Sequence, residues 1–259
     1  MRRPVMAGNW KMFKTAGETR AFIEKFKPLV ERASHCEIVL CPPFTSLGAA
    51  AEAARGSNLA VGAQDMHWEK KGAFTGEVTA AMLVEAGCRY VILGHSERRE
   101  LFHETDELVS RKLAAALEAG LTPIVCVGEK LAEREAAATE TVLTRQFAGA
   151  CSALTAAQFS RIIIAYEPVW AISSHATGTE STSDMLQMGI FIRKVLAGMC
   201  GKELANKLPV LYGGSADERT VADFVKEAGV DGFLVGKASL FADSFSAVIK
   251  NVNEATSSL

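Results

Sequence analysis

The sequence predicts an α/β fold, a single (β/α)8 barrel that takes in residues 1–259 as one domain. Three observations carry that reading. Short apolar runs rich in Val, Ile and Leu recur eight times, as expected of parallel strands covered on both faces. Each run is followed by a stretch with helical spacing of its apolar residues. Shared among eight units, 259 residues give about 32 each, in line with the roughly 250 residues of such barrels. No Pro/Ser-rich linker or low-complexity run divides the chain. A doubly wound open sheet is the rival, but it normally has a Gly-rich turn after its first strand, where this chain has Asn9-Trp10-Lys11.

Pro4 to Lys11 reads as the first strand, ending in a polar pair, and the first helix is expected from about Gly17 to Arg32. Phe22, Ile23, Phe26 and Leu29 mark its packing face. Glu37 to Cys41 is the second strand, stopped by Pro42-Pro43, after which Thr45-Ser46 is expected to cap an Ala-rich helix ending near Arg55-Gly56. Leu59 to Ala63 is the third strand, followed by a long polar loop, Gln64 to Gly76, and a helix from Val78 to Ala86. The fourth strand, Tyr90 to Gly94, runs directly into His95-Ser96-Glu97-Arg98-Arg99, with a helix expected from Thr105 to Ala119 and Gly120 closing it. Thr122 to Val127 is the fifth strand, and one Ala- and Glu-rich helix is expected after it, as far as about Ala150.

Ile162-Ile163-Ile164-Ala165 opens the sixth strand, too β-branched for a surface helix. Glu167 stands where that strand ends, Pro168 fixes the chain direction behind it, and Pro168-Val169-Trp170 forms a stiff apolar hinge before a loop of small residues. A helix is expected from Ser183 to Met199. Leu208 to Tyr212 is the seventh strand, ending Gly213-Gly214-Ser215, with a helix from Asp217 to Ala228. Gly232 to Val235 is the eighth, ending Gly236-Lys237, and the last helix starts near Asp243.

Hydrophobic content of 49% and charged content of 22% are those of an ordinary globular protein. A net charge of −2 supplies no field that would recruit nucleic acid or an anionic membrane. No stretch reaches the length of a membrane span, and Arg2-Arg3 is followed by no apolar core of a signal peptide, so a cytoplasmic protein is expected. The six cysteines form no C-x-x-C pair and no zinc spacing; Cys41 and Cys126 lie in strand-like runs and read as buried thiols in a reducing compartment. No metal and no cofactor is expected.

Chemistry in such barrels sits at the C-terminal ends of the strands. Those ends carry Asn9 and Lys11, Gln64, His95 and Glu97, Glu129, Glu167, Gly213-Gly214-Ser215 and Gly236-Lys237. Each has a bland explanation alone: Lys11 as a solvated surface lysine, His95 as a satisfied histidine, Glu167 as a cap for the next helix, Gly-Gly-Ser as a turn. An amine, an imidazole and a carboxylate on one rim instead suggest acid–base chemistry, with Glu167 as a general base under a movable lid. Gly214 and Gly236 bare backbone N–H groups where barrels often bind phosphate, with Ser215 as a further donor and Lys11 as a full positive charge.

The motifs G-N-W-K (8–11), A-F-T-G-E (73–77), G-H-S-E-R-R (94–99), C-V-G-E (126–129), A-Y-E-P-V-W-A-I (165–172), Y-G-G-S (212–215) and V-G-K-A-S-L (235–240) give the chain a resemblance, over nearly its whole length, to the triosephosphate isomerase family. The family's fold is the TIM barrel, and the family itself is a standard illustration of acid and base groups tuned by their surroundings. The resemblance implies that Glu167 moves a proton between C1 and C2 of a bound triose phosphate. It implies that His95 is a neutral electrophile, that Asn9 and Lys11 complete the oxyanion-stabilising wall, and that Glu97 is a buried partner of Lys11. The reaction implied interconverts D-glyceraldehyde 3-phosphate and dihydroxyacetone phosphate, a step of glycolysis and gluconeogenesis, in a homodimer whose loop at Phe74 and Thr75 docks into the partner.

The chain departs from the family's pattern in two places. After the tryptophan hinge the family usually reads I-G-T-G-K-T-A, whereas Ile172-Ser173-Ser174-His175-Ala176-Thr177-Gly178-Thr179-Glu180 is about two residues longer. The lid glycine's counterpart falls on Ser173, His175 or Ala176. Lys237, a candidate phosphate-binding residue, replaces a usual glycine: an added cation beside a dianion would help, whereas a position needing positive φ would strain it. Phe13, in place of a usual asparagine, is a minor change. Two rivals stand beside this reading: another phosphosugar barrel, either an isomerase of ribosyl-linked substrates or an aldolase using Lys11 as a Schiff base, and a catalytically weak homologue kept as a phosphate-binding or interaction protein.

Overall fold

The computed structural model describes residues 2–172 and 181–257. Eight parallel strands close into a barrel in sequence order: β1 (Val5–Asn9), β2 (Glu37–Cys41), β3 (Leu59–Ala63), β4 (Tyr90–Leu93), β5 (Thr122–Val127), β6 (Ile163–Tyr166), β7 (Val210–Tyr212) and β8 (Gly232–Val235). β8 returns to β1 with Val5 opposite Gly232 and Gly8 opposite Val235. That closure requires a glycine. Gly232 has φ +132°, and a Cβ there would lie 2.0 Å from the Val5 carbonyl oxygen.

Because side chains alternate across a strand, each strand feeds two cores. Val5, Ala7, Val39, Ile92, Ile124, Ala165, Leu211 and Leu234 point inward and fill the barrel, with Cys41 and Cys126 among them. The alternate residues, such as Met6, Ile38, Leu40, Val91, Leu93, Val125 and Ile164, meet the surrounding helices. The barrel is thus a packed solid, and only its rims are open to chemistry.

Twelve α-helices surround it among the described residues: α1 (Ala16–Val30), α2 (Leu47–Ala53), α3 (Ala80–Glu85), α4 (Ser96–Leu101), α5 (Asp106–Glu118), α6 (Leu131–Glu135), α7 (Thr139–Cys151), α8 (Ala156–Phe159), α9 (Thr182–Cys200), α10 (Lys202–Ala205), α11 (Val221–Ala228) and α12 (Ala242–Ser257). Thr15 and Glu18 form a reciprocal cap at the start of α1. On that helix Phe22, Ile23, Phe26 and Val30 are buried, while Leu29 is 48% exposed, so Val30 rather than Leu29 completes the packing face. Four residues, not three, separate Phe26 from the next point on that stripe.

The strands lie where the apolar runs place them, but the helices divide more finely. The segment after β4 is itself a helix, α4, separated from α5 by a turn in which His103 has φ +55°. The single helix expected after β5 is two, broken at Ala137 with φ +52°. High Ala and Glu content cannot show that break, because tertiary context overrides propensity. Ser46 does not cap α2; its hydroxyl donates to the Lys14 carbonyl, and Phe44–Ser46 forms a 3-10 turn instead. Asp217 lies outside α11, its Oδ1 accepting from the Arg219 and Thr220 N–H groups. No described helix is long and apolar enough to cross a membrane.

Candidate active site

The parallel strands put Asn9, His95 and Glu167 at one rim. Asn9 is the last residue of β1 and is buried. Just beyond it Lys11 takes φ +51°, a left-handed conformation that side-chain-bearing residues rarely adopt. Two hydrogen bonds enforce that turn. The Lys11 N–H donates to Asn9 Oδ1 at 3.0 Å, and Gln64 Nε2 donates at 2.8 Å to the Lys11 carbonyl, bridging it to the Cys41 carbonyl at the end of β2. The strained backbone aims the ammonium across the rim, where Lys11 Nζ meets Glu97 Oε1 at 2.5 Å. The pair is about a quarter exposed on both sides rather than fully buried.

His95 is the residue before α4, and its ring caps that helix. Nδ1 accepts the Glu97 N–H at 3.2 Å. A ring nitrogen that accepts carries no hydrogen, so the neutral imidazole holds its hydrogen on Nε2. Nε2 stands 3.1 Å from Glu167 Oε1, but the N–H is not aligned for a hydrogen bond and Oε1 has no partner. The other carboxylate oxygen, Oε2, accepts the Ser96 N–H at 2.9 Å. Glu167 is 2% exposed. Inside the barrel next to it, burial and then the Glu167 charge push the Cys126 thiol well above its ordinary range.

Asn9, Lys11, His95, Glu97 and Glu167 share a cavity of 540 Å³ with Gly213, Gly214, Gly236 and Lys237. A smaller recess of 240 Å³ also touches Glu167, from the Ser96 side, but it contains neither His95 nor Lys11. The larger cavity is therefore where an amine, an imidazole and a carboxylate can act together. Among the described residues no group of His, Cys, Asp and Glu could hold a metal ion.

The triosephosphate isomerase family model matches residues 4–252. The chain belongs to the triosephosphate isomerase family. It is 53% identical over 250 residues to the triosephosphate isomerase of Solibacter usitatus, covering 96% of this chain and 99% of that protein. It is 50% identical over 249 residues to that of Moorella thermoacetica, covering 96% and 98%. Among solved structures, the crystal structure of triosephosphate isomerase from Bartonella henselae superposes with a TM-score of 0.86 at 38% identity, covering 96% of this chain and 98% of that one.

As a triosephosphate isomerase family member, the chain shows several features that its motifs alone do not. Glu129, expected on the rim, is wholly buried. It accepts from the Tyr166 hydroxyl at 3.1 Å and from Trp170 Nε1 at 3.0 Å, with Arg134 Nη1 3.7 Å away. Burial holds its carboxyl above the ordinary range even so. Arg134 also lies over the Trp170 ring, 4.5 Å from its centroid, and reaches Asp184 at the start of α9. Glu129 thus pins the hinge that precedes residues 173–180. A signal for this was present, since buried indole N–H and phenol groups need partners.

Ser215 does not border the cavity. Its N–H and its hydroxyl both donate to the Ala171 carbonyl, at 3.0 and 2.8 Å, at the near end of the same segment. Lys237 does border it, and the strain expected there is absent. Its φ is not positive, and it opens the 3-10 turn Lys237–Leu240. Ser173, with the rest of 173–180, lies outside the described residues. The loop after β3 is closed at its base by the His67 N–H to the Val78 carbonyl, and its tip is exposed, Thr75 included. Phe74 is 43% exposed, its ring 4.3 Å from that of His67.

Proposed function

We propose that this chain interconverts D-glyceraldehyde 3-phosphate and dihydroxyacetone phosphate through an enediolate, a step of glycolysis and gluconeogenesis, with Glu167 as the base. The observation that carries the reading is the facing pair: the Glu167 carboxylate and the Nε2 side of His95, in one cavity with Lys11 and the glycine turns after β7 and β8.

The geometry supports a division of labour. A proton α to a carbonyl is weakly acidic, so the enediolate oxygens need donors already in place. His95 offers Nε2–H and is oriented by the Glu97 amide; a neutral imidazole polarises a carbonyl without first having to be discharged. Lys11 adds a positive charge held by Glu97, and Asn9 both shapes the Lys11 turn and lines the cavity. A gap of 3.1 Å leaves no room for a substrate carbon between Glu167 and His95. Glu167 must therefore leave the Ser96 N–H and swing toward the substrate, an arrangement that spares the base from reacting before the cavity is filled. The phosphate is held by Gly214, Gly236 and Lys237, with Ser215 turning from Ala171 to join them. An amine engaged by a carboxylate at 2.5 Å is not the free amine of a Schiff-base enzyme.

The active form is a homodimer in the cytoplasm, one domain per chain, with the exposed Phe74–Thr75 tip docked into the partner. The test is purified protein with glyceraldehyde 3-phosphate, following dihydroxyacetone phosphate. Turnover that Glu167→Gln abolishes supports the reading, and an inactive wild-type protein overturns it.

A further inference from the structure

We infer that Gln146 is a positioning residue for the base: its side-chain amide takes the place of a strand and fixes the backbone against which Glu167 is seated. The inference rests on the proposed role of Glu167 and extends it to a residue of α7 that lies outside the larger cavity.

The need arises where β4 stops. Leu93, its last residue, pairs with Val125 of β5, and Gly94, with φ +72°, turns the chain away to His95. The end of β5 runs on without that neighbour. On its other side it stays paired: the Val127 carbonyl accepts the Glu167 N–H at 2.8 Å, and the Glu129 carbonyl accepts the Val169 N–H at 3.1 Å. Alternation along the extended chain then turns the Gly128 N–H and carbonyl toward the side that β4 has left. Gln146 supplies partners for both. Its Oε1 accepts the Gly128 N–H at 2.8 Å, and its Nε2 donates to the Gly128 carbonyl at 3.0 Å. A carboxamide carries the donor and acceptor of a peptide group, so it completes the sheet edge as a strand would. Gln146 is itself buried, which holds the amide in place.

Gly128 transmits that constraint to the base. A Cβ on Gly128 would lie 1.7 Å from the Glu167 carbonyl oxygen and 3.2 Å from its Cα, so the two backbones press directly on each other. With the Val127 and Glu129 hydrogen bonds on either side, a shift of Gly128 becomes a shift of the Glu167 Cα. Two hydrogen bonds thus reach from α7 to the base through one glycine. The smaller recess of 240 Å³, which Gly128 and Gln146 both line, gives water access to Gly128 once the amide is removed. Water satisfies the freed groups without holding them at one position, so catalysis is expected to suffer more than stability.

The experiment measures isomerisation of glyceraldehyde 3-phosphate by wild type, Gln146→Met and Gln146→Asn. Methionine keeps the length and loses both hydrogen bonds. Asparagine keeps the amide but draws it back by one methylene, and it carries the test if the methionine variant does not fold. Misplacing a catalytic group by about 1 Å can cost about a hundredfold, so a shift of about half that should lower kcat about tenfold, with KM within about twofold. In a Glu167→Asp enzyme, whose carboxylate is already drawn back, Gln146→Met should cost less than about threefold, because both changes act on one group. A Gln146→Met kcat within about twofold of wild type would overturn the inference, as would equal effects on kcat and KM. An undiminished loss in the Glu167→Asp background would do the same. If the wild type does not isomerise at all, the parent reading fails instead. Hydrogen exchange then still decides on Gln146: the Glu167 and Val169 amides should exchange about tenfold faster in Gln146→Met, and unchanged exchange refutes its role.

Discussion

Gly213→Ala puts one methyl group against the base. Gly213 follows β7, its N–H donates to the Tyr166 carbonyl at 2.7 Å, and its φ is not positive, so alanine meets no backbone penalty there. The cost lies in space alone. A Cβ at this position would sit 2.8 Å from Glu167 Cγ and 3.1 Å from the Tyr166 carbonyl oxygen. Ordinary contact begins at 3.4 Å, so the stem of Glu167 must retreat by about 0.6 Å while β6 and β7 stay hydrogen-bonded. Misplacing a catalytic group by about 1 Å can cost about a hundredfold, so kcat should fall by about 10- to 100-fold. Overpacking of this kind costs about 1–3 kcal/mol of stability, equivalent to about 3 to 10 °C in Tm for a chain of this size. A coupled isomerase assay with thermal melting reads both quantities, and a folded variant would show the loss in kcat more than in KM. A Gly213→Ala enzyme with kcat within threefold of wild type would refute the claim that this backbone fixes the position of Glu167.

Three further outcomes are expected. His95→Gln should lower kcat by about two to three orders of magnitude while leaving phosphate-dependent KM within a few-fold, because a carboxamide donor replaces an oriented ring N–H; equal loss in both would count against an electrophilic role. Phe74→Asp should convert the proposed dimer to monomer at micromolar concentration, since docking would bury an unpaired carboxylate; sedimentation velocity unchanged from wild type would dismiss Phe74 as an interface anchor. Burial pushes the Cys36 thiol up to about 11 and those of Cys88 and Cys151 to about 12. The fold holds these groups protonated, so their contribution to stability is complete below about pH 9 and is lost as the pH climbs toward 11 to 12. Guanidinium titrations at pH 7, 9 and 10.5 should show that decline, and at pH 8 a thiol-reactive disulfide should modify half-buried Cys200 first. Rapid reaction of several thiols in the native protein would contradict it.

How much of this was legible beforehand depends on the range of the interaction involved. The eight strands could be read because Ile162 to Ala165 or Thr122 to Val127 must bury both faces, and only a strand of a covered parallel sheet does that. The closed order of the sheet followed from eight such units with short connections. Motif spacing likewise placed Asn9, Lys11, His95 and Glu167 at strand ends, because a strand's last residue is a local property of the chain. The fine division of the helices was not local: Ala137 breaks a run that propensity alone would keep whole.

The chain's own order of apolar and polar residues therefore determined the barrel, the rim and the residue types gathered on it. Tertiary structure alone decided what each of those side chains meets. Glu129 went to the Trp170 hinge rather than the rim because a buried indole N–H required an acceptor. Ser215 turned to the Ala171 carbonyl, and Lys11 was forced into a left-handed turn by Gln64, from a strand end 53 positions along the chain. Hydrogen-bond partners across such separations are set by closure of the barrel, which brings together groups that no local pattern pairs, so the Trp170 indole and the Gln64 amide find their acceptors only once the barrel is closed.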